Sequence, residues 1–350
     1  ALRWLRDFHI DALRLDAIHE IKDDAAAAAT PQRHVLAELS DAVAALSIEL
    51  GRPLSLVAEA DLNDVGVITP TSEEPPAKVP SLGMTAQWAD DVHHALHVRL
   101  TGEDQGYYGD FAEVGAWAKA YGRAFLHNGT WSTFRERNWG APVPEDTDPR
   151  RFVVFGSDHD QVGNRAVGDR PSVILDDAAL AATAALVLLS PYTPMLFMGE
   201  EWGTRTPFQF FTDHEEDDLA RSVSEGRVRE FAGFGWDADE IPDPQAAATV
   251  EASRLRWSEL DEAEHARVLA WYQALTTLRR NLDWSQRTAW PQVDEIDDVL
   301  MVTYDDIVVA ANLSGQERPA PALTTVLLSW DPFDAAAPSL SPGQTLIARR

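Results

Sequence analysis

The stretch LSLVAEA at residues 54–60 is an aliphatic run that ends in a carboxylate, Glu59. Two other stretches share this form: DALRLDA at 11–17, which ends in Asp16, and RFVVFGSDHDQ at 151–161, which contains Asp160. Short aliphatic and β-branched runs of this kind predict buried strands of a parallel sheet. In such proteins the chemistry is built at the carboxyl ends of the strands, so the three carboxylates are candidates for one catalytic site.

Helical patterns alternate with these strands. Apolar residues recur at helical spacing in segments between and beside the strands, which predicts helices over 2–8, 31–50, 91–100, 111–126, 176–189 and 258–280. Further strands are predicted at 85–89 and at 195–198, where MLFM precedes Gly199. The helix over 31–50 has Pro31 in its first turn, after Thr30. This βα alternation predicts a parallel sheet covered by helices.

The pattern changes toward the carboxyl terminus. After residue 205 an acidic, Phe-rich helical insertion leads to the long helix, and from residue 285 the signals are short strands separated by Asp, Gly and Pro turns. The runs VLMVTY, DIVVAANL and TTVLLSW are the clearest of these. We therefore expect an α/β domain over 1–283 and a small β domain over 284–350.

Composition excludes several classes of partner. The 350 residues contain 29 Lys and Arg against 57 Asp and Glu, a net charge of −28, which opposes binding to nucleic acid or anionic membrane surfaces. Cysteine is absent, which excludes disulfides and thiolate metal sites and agrees with a cytoplasmic location. The longest apolar run, at 178–190, is too short to cross a bilayer.

Two carboxylates with different protonation states are what hydrolysis of a glycosidic bond requires. Arg14 lies two residues before Asp16, on the same face of the strand, and favours the ionised form of that carboxylate. Glu59 follows LSLVA without a cation next to it in sequence, which favours a role as proton donor. His159 and Gln161 flank Asp160 and are suited to hydrogen bonds with sugar hydroxyls.

The three segments resemble those of the α-amylase superfamily of glycoside hydrolases. The resemblance implies a (β/α)8 TIM barrel, of which strands 4 to 8 are represented here, followed by a carboxyl-terminal β-sandwich. It also implies that Asp16 is the nucleophile, Glu59 the general acid and base, and Asp160 the stabiliser of the transition state.

Longer stretches narrow the resemblance to the malto-oligosyltrehalose trehalohydrolases within that superfamily. These stretches are DAIHEI at 16–21, residues 87–111, STFRERNWGAP at 132–142 and residues 191–214. The resemblance implies hydrolysis of the α-1,4 bond next to the terminal trehalose of maltooligosyl trehalose or a related α-glucan, without metal or organic cofactor. It also implies the following substrate-binding candidates: Arg14, His19, Glu20, Asp90, Asp91, His93, His94, Phe134, Arg135, His159 and Gln161.

Several of these side chains have simpler interpretations. His93 and His94 open a helix and could serve as capping or surface groups, and His97 is expected to pack on the helix face. Glu200 and Glu201 could be structural hydrogen-bond acceptors. Aromatic side chains that could either stack on sugars or fill the core are Trp88, Trp131, Trp139, Trp202, Phe208, Phe210 and Phe211.

Other functions compete with this assignment. A branching or debranching α-glucan enzyme of the same superfamily would use the same carboxylates, and a non-catalytic glucan-binding protein would use the aromatic residues alone. The Asp and His pairs at 90–94 and 158–160 also suit a metal-dependent phosphohydrolase, although Glu59 then has no role and no phosphate-binding glycine loop occurs.

Two departures from the superfamily pattern stand out. Asp158 occupies a position where an amide side chain is usual, which adds a charge beside the stabiliser. In addition, only five of the eight barrel strands are found, because strands one to three have no counterpart before Asp16. We therefore expect the chain to be a portion of an enzyme that is inactive or poorly soluble alone, since an open sheet edge exposes backbone groups and apolar surface.

Overall fold

The computed structural model describes residues 1–23, 33–75, 78–232, 237 and 240–350. Its α-helices, numbered along the chain, are α1 (Leu2–Asp7), α2 (Val35–Leu50), α3 (Asp90–Thr101), α4 (Ala116–Arg123), α5 (His159–Gly163), α6 (Pro171–Ile174), α7 (Asp177–Leu188), α8 (Asp217–Ala232), α9 (Ala247–Ala252) and α10 (Ala263–Asn281).

The strands are numbered in the same way. They are β1 (Ala12–Leu15), β2 (Ser55–Ala58), β3 (Ala86–Trp88), β4 (Thr130–Ser132), β5 (Arg137–Trp139), β6 (Phe152–Phe155), β7 (Thr193–Met195), β8 (Gln292–Ile296), β9 (Val299–Tyr304), β10 (Ile307–Asn312), β11 (Arg318–Pro319), β12 (Thr325–Ser329), β13 (Ser339–Leu340) and β14 (Thr345–Arg349).

The predicted parallel sheet is confirmed. Five strands lie in the order β1-β2-β3-β6-β7, and β1 pairs parallel with β2, β2 with β3, and β3 with β6. The prediction of a strand over 195–198 is wrong in its bounds, because β7 covers Thr193–Met195 and residues 196–198 leave the sheet. The side chains of β6 are all buried, which is typical of a parallel strand with covered faces.

Helix α2 shows how the sequence sets the limits of an element. Its first turn is capped by His34, whose Nδ1 accepts a hydrogen bond from the Leu36 N–H at 3.2 Å. It ends at Gly51, which adopts φ 63°, a left-handed conformation that glycine adopts without strain. The predicted start at Thr30 and Pro31 lies outside the described residues.

Two compact units make up the chain. The first comprises Ala1–Val154, Leu189–Met195 and Asp283–Val308, and the second comprises Phe155–Leu188, Leu196–Leu282 and Val309–Arg350. The first unit contains the paired residues of the parallel sheet, the β4–β5 hairpin and the antiparallel pair β8–β9.

The second unit is held together by helix packing and an antiparallel strand pair. Trp271 of α10 donates a hydrogen bond from Nε1 to the carbonyl of Ala181 in α7 at 3.0 Å. Strands β12 and β14 pair antiparallel, with a shift of register between Val326 and Leu328. Across the described part of the chain, every helix is too short or too polar to traverse a lipid bilayer.

Candidate active site

Arg14 links the first two candidate carboxylates. Its Nη1 pairs with the Asp16 carboxylate, and its Nη2 lies 3.7 Å from Oε2 of Glu59. The guanidinium carbon lies 4.5 Å from the ring centroid of Trp88 in β3, a cation–π contact that fixes its position. Asp16 is 77 % exposed, whereas the Glu59 side chain is 16 % exposed. The structure therefore brings nucleophile and acid candidates to the ends of adjacent strands, with one cation between them.

The chain that follows β1 holds Glu59 in place. The Ala17 N–H donates to Oε2 of Glu59 at 2.5 Å, the Glu59 N–H donates to the Leu15 carbonyl at 2.9 Å, and the Ile18 N–H donates to the Glu59 carbonyl at 3.1 Å. Ala17 has φ 41°, a left-handed conformation that costs free energy for a non-glycine residue. This strained turn lies immediately after Asp16 and directs the Ala17 N–H toward the Glu59 carboxylate.

A cation lies near Glu59 in the structure, although none is next to it in the sequence. Arg14 was assigned to Asp16 because the two are close in sequence, but parallel pairing places Arg14 opposite Val57, two residues before Glu59. The guanidinium can therefore reach both carboxylates. Its Nε and Nη2 atoms are buried and make no hydrogen bond to the described residues.

A surface of aromatic and charged groups adjoins Glu59. Asp61, two residues further on, pairs through its carboxylate with Nη2 of Arg135, and its carbonyl accepts a hydrogen bond from Nε1 of Trp139 at 3.0 Å. The Arg135 guanidinium carbon lies 5.0 Å from the Trp139 ring centroid and 5.8 Å from that of Phe134. The Phe134 ring is 57 % exposed. This combination of an exposed ring and a planar donor suits a sugar ring and its hydroxyls.

The two candidates after Asp16 differ in their surroundings. Nδ1 of His19 lies 3.5 Å from the Asp61 backbone N, which places His19 beside the same surface. Glu20 is 67 % exposed, with its Oε2 3.4 Å from Nζ of Lys22. Asp61 itself was missed in the sequence, although the VAEAD stretch places it two residues after Glu59.

The candidates that follow β3 lie deeper. Asp90 and Asp91 begin α3, and Asp91 is buried. Its Oδ2 accepts hydrogen bonds from Nδ2 of Asn63 at 2.8 Å, the Leu126 N–H at 2.7 Å and the His127 N–H at 3.2 Å. Burial raises the pKa of Asp91, and these donors partly offset that effect. Asp91 thus holds the segment around residue 126 in place.

The histidines of α3 form an aromatic cluster. His93 is buried, and its Nε2 lies 3.5 Å from the Tyr108 hydroxyl. His97 is stacked on Tyr108 and pairs through Nε2 with Glu103 at 2.8 Å, which confirms its predicted packing. Burial lowers the pKa of His94 to about 3, so this imidazole is neutral at physiological pH. The alternative of a surface group is wrong for His93, because its side chain is buried.

The third motif lies in the second unit. Asp158 is buried and caps α5, since its Oδ1 accepts hydrogen bonds from the Asp160 N–H at 2.8 Å and the Gln161 N–H at 3.1 Å. Burial raises the pKa of Asp158. Asp160 and His159 are 52 % and 46 % exposed, with Oδ2 and Nε2 3.5 Å apart. Oε1 of Gln161 is buried without a hydrogen-bond partner among the described residues.

This geometry explains the unusual Asp158. Aspartate and asparagine cap helices about equally well, so the departure from the superfamily pattern keeps the local structure. Asp158, His159 and Asp160 also form a group whose ligand atoms lie within 4.8 Å of one another, and so do Glu262, Glu264 and His265. In the first group, the hydrogen bonds from the start of α5 occupy one Asp158 oxygen.

The remaining candidates divide between core and surface. Glu200 accepts hydrogen bonds from the Phe197 N–H at 2.9 Å and the Tyr272 hydroxyl at 3.2 Å, and burial raises its pKa to about 8. Glu201 accepts from the Gly199 N–H at 2.8 Å, so both act as structural acceptors. Trp88 and Trp202 are buried, Trp139 is partly buried, and Trp131, Phe210 and Phe211 are exposed.

Comparison with known proteins finds relatives that align with almost the whole chain. The chain is 46% identical over 350 residues to the malto-oligosyltrehalose trehalohydrolase of Arthrobacter ramosus, covering 99% of this chain and 59% of that protein. It is 45% identical over 343 residues to the malto-oligosyltrehalose trehalohydrolase of Mycobacterium tuberculosis, covering 95% of this chain and 56% of that protein. Over nearly its whole length, the chain is thus similar to malto-oligosyltrehalose trehalohydrolases.

A solved structure is also similar to the chain. A Salmonella typhimurium protein, provisionally described as an alpha amylase, superposes with a TM-score of 0.85 at 34% identity, covering 99% of this chain and 58% of that one. The chain thus spans a little more than half the length of the relatives it matches. No family model matches the chain.

Proposed function

We propose that the chain carries the catalytic carboxylates of a retaining glycoside hydrolase. This enzyme would cleave the α-1,4 bond next to the terminal trehalose of maltooligosyl trehalose and release trehalose. The observation that carries the proposal is the grouping of Asp16 and Glu59 at the ends of adjacent parallel strands, bridged by Arg14, in a chain whose relatives are named for this reaction.

The chemistry follows from the two environments. The exposed Asp16 carboxylate attacks the anomeric carbon of the maltooligosyl unit, and the bond to the trehalose oxygen breaks as Glu59 transfers its proton to that oxygen. Glu59 then removes a proton from water, whose oxygen displaces Asp16 and frees the maltooligosaccharide with its configuration retained. Asp160 is assigned to the transition state by its motif, with His159 and Gln161 as neighbours that bind hydroxyl groups.

The substrate-binding candidates differ in their proposed tasks. Arg14, His19, Phe134 and Arg135 face the surface that adjoins Glu59 and would contact the sugar. Asp91 and His93 are buried and would support that surface from below. Glu20, Asp90 and His94 are assigned to the substrate on the family resemblance alone.

The proposal includes the finer architecture. We assign β1, β2, β3, β6 and β7 to strands 4 to 8 of a (β/α)8 barrel, residues 1–283 to the catalytic domain and residues 284–350 to a β-sandwich. The similarity to the Salmonella typhimurium structure over 99% of the chain supports this assignment. A cytoplasmic location, expected from the cysteine-free sequence, belongs to the same proposal.

The test is a product assay on the protein made from its complete gene. Incubation with maltotriosyl trehalose should release trehalose and maltotriose, and a chelator should leave the rate unchanged. Release of trehalose must disappear in Asp16→Asn. Absence of trehalose from the unmodified enzyme, together with transfer or cleavage on a branched glucan, would instead establish a branching or debranching enzyme. The 350-residue chain assayed alone then tests the expectation that it is inactive by itself.

A further inference from the structure

Asp61 connects three separate segments next to the acid candidate. Its carboxylate pairs with Arg135, its carbonyl accepts the Trp139 Nε1–H at 3.0 Å, and its backbone N lies 3.5 Å from Nδ1 of His19. Arg135 and Trp139 belong to the β4–β5 hairpin region, and His19 belongs to the turn after Asp16. One residue therefore ties the hairpin and the nucleophile turn to the end of β2.

The contact with Arg135 restrains a side chain that otherwise has many rotamers. The guanidinium is held on one side by the Asp61 carboxylate and stacked within 5.0 Å of the Trp139 ring centroid. Only 19 % of the Arg135 side chain is exposed, although Asp61 is 50 % exposed. A planar donor fixed in this way presents its remaining N–H groups in a defined direction.

The Arg135 guanidinium lies on the same surface as the acid candidate, because its partner Asp61 is two residues beyond Glu59. A general acid must lie beside the oxygen of the leaving group, so the surface next to Glu59 faces that part of the sugar chain. Asp61 is two residues beyond Glu59, and the exposed Phe134 ring adjoins Arg135. The restrained guanidinium and the ring thus form a binding surface for the leaving sugar.

We propose that Asp61 is a positioning residue that sets specificity for the leaving disaccharide by holding Arg135, an inference that rests on the proposed function. Asp61 does not touch the substrate. It selects an α,α-linked disaccharide over a plain maltose unit. Arg135, fixed in one rotamer, donates to hydroxyls that the α,α linkage brings within reach and the α-1,4 linkage of maltose does not.

The test is a double-mutant cycle on the product of the complete gene, with wild type, Asp61→Asn, Arg135→Gln and the double variant. Maltotriosyl trehalose and maltopentaose contain the same number of glucose units and differ in the leaving disaccharide. We expect Asp61→Asn to raise KM for maltotriosyl trehalose about tenfold and to leave kcat/KM for maltopentaose within about twofold. Asp61→Glu, which keeps the charge, should restore most of the loss.

The cycle distinguishes positioning from a general structural effect. In the Arg135→Gln background, Asp61→Asn should have no further effect, because its route to the substrate has already been removed. Independent effects that multiply, or equal losses on both substrates, would overturn the proposal. The matched control is Asp11→Asn, which removes a carboxylate from the pair with Arg52 just before β1 and should change neither substrate.

A failure of the proposed function would be visible separately. If the wild-type enzyme releases no trehalose, the proposed reaction is wrong, and the cycle is repeated as calorimetric titration with trehalose itself. Weaker trehalose binding in Asp61→Asn that disappears in the Arg135→Gln background supports positioning by Asp61. An unchanged affinity for trehalose in Asp61→Asn contradicts it.

Discussion

The ends of β1 and β2 contrast with the end of β3 in the same sheet. At the first two, Asp16, Glu59 and Asp61 reach solvent and lie within ion-pair distance of two guanidinium groups, those of Arg14 and Arg135. At the end of β3, Asp91 is buried and its Oδ2 is occupied by three N–H donors. Carboxylates that look alike in the sequence therefore differ in whether a substrate can reach them.

This contrast separates carboxylates that could react with a substrate from a carboxylate that stabilises the fold. An exposed carboxylate next to a guanidinium can exchange its contacts with a substrate at little cost, whereas Asp91 cannot leave its donors without exposing buried N–H groups. Substitutions at the ends of β1 and β2 should thus reduce activity and spare stability. Substitutions at the end of β3 should do the reverse.

The largest effect is expected at Asp16, the proposed nucleophile. Asp16→Asn should lower kcat on maltotriosyl trehalose by about 10⁴-fold or more, because the amide cannot form the glycosyl-enzyme ester. The melting temperature should stay within a few degrees, since Asp16 is 77 % exposed. Asp7→Asn, an exposed aspartate in α1, is the control and should retain activity. A variant of Asp16 that keeps a tenth of the activity would refute the assignment.

Replacement of the acid should depend on the leaving group. Glu59→Gln should lower kcat/KM on maltotriosyl trehalose by about 10² to 10⁴-fold, the usual contribution of general acid catalysis. With α-maltosyl fluoride, whose leaving group needs little protonation, the first step should lose far less. Pre-steady-state fluoride release measures this directly. Equal losses on the two substrates would show that Glu59 does not act as the acid.

Removal of Asp91 should affect stability. Asp91→Ala leaves the N–H groups of Leu126 and His127 and the Asn63 amide without their acceptor. We expect the free energy of unfolding in urea to fall by about 2 to 4 kcal/mol, while the kcat of the folded fraction changes little. Asp7→Ala, at an exposed position in α1, should cost much less. If Asp91→Ala has the stability of wild type but is inactive, the distinction between the end of β3 and the ends of β1 and β2 is wrong.

The last effect concerns pH and develops only below about pH 6.5. His94 stays neutral in the folded protein down to about pH 3, because of burial and the nearby His97, Arg135 and His127, whereas its ordinary pKa is 6.5. Between these values the unfolded chain binds more protons, so His94 lowers stability as pH falls from about 6.5 toward 3. His94→Gln should flatten this dependence in denaturation curves at pH 4 to 7. If the free energy of unfolding of His94→Gln changes with pH as steeply as that of wild type, the prediction is wrong.

Much of the parallel sheet could be predicted because its strands are continuous aliphatic runs. The residues of β1, β2, β3 and β6 follow from local patterns, as do the C-terminal strands β9, β10 and β12. The hairpin β4–β5 was missed because each strand has three residues and no alternation of apolar side chains. Residues 196–198 are apolar and read as strand, yet Gly199 with φ 89° ends the segment in a turn.

The site could be predicted less completely. The proximity of Arg14 to Asp16 follows from the two-residue period of a strand, but its contact with Glu59 depends on pairing between strands. The burial of Asp91 and the contacts of Asp61 depend on segments 28 to 78 residues away in sequence. Local patterns contain no information about such partners. They identify strand ends, and the tertiary structure decides which of them are accessible.

The central claim is that Asp16 and Glu59 cleave the bond to trehalose with retention. The most direct measurement follows the ¹H NMR spectrum during the first minutes of hydrolysis of maltotriosyl trehalose by the product of the complete gene. The account predicts trehalose and the α-anomer of maltotriose as first products, with the β-anomer appearing only as the sugar equilibrates in water. Initial formation of the β-anomer, or of products without trehalose, would contradict it.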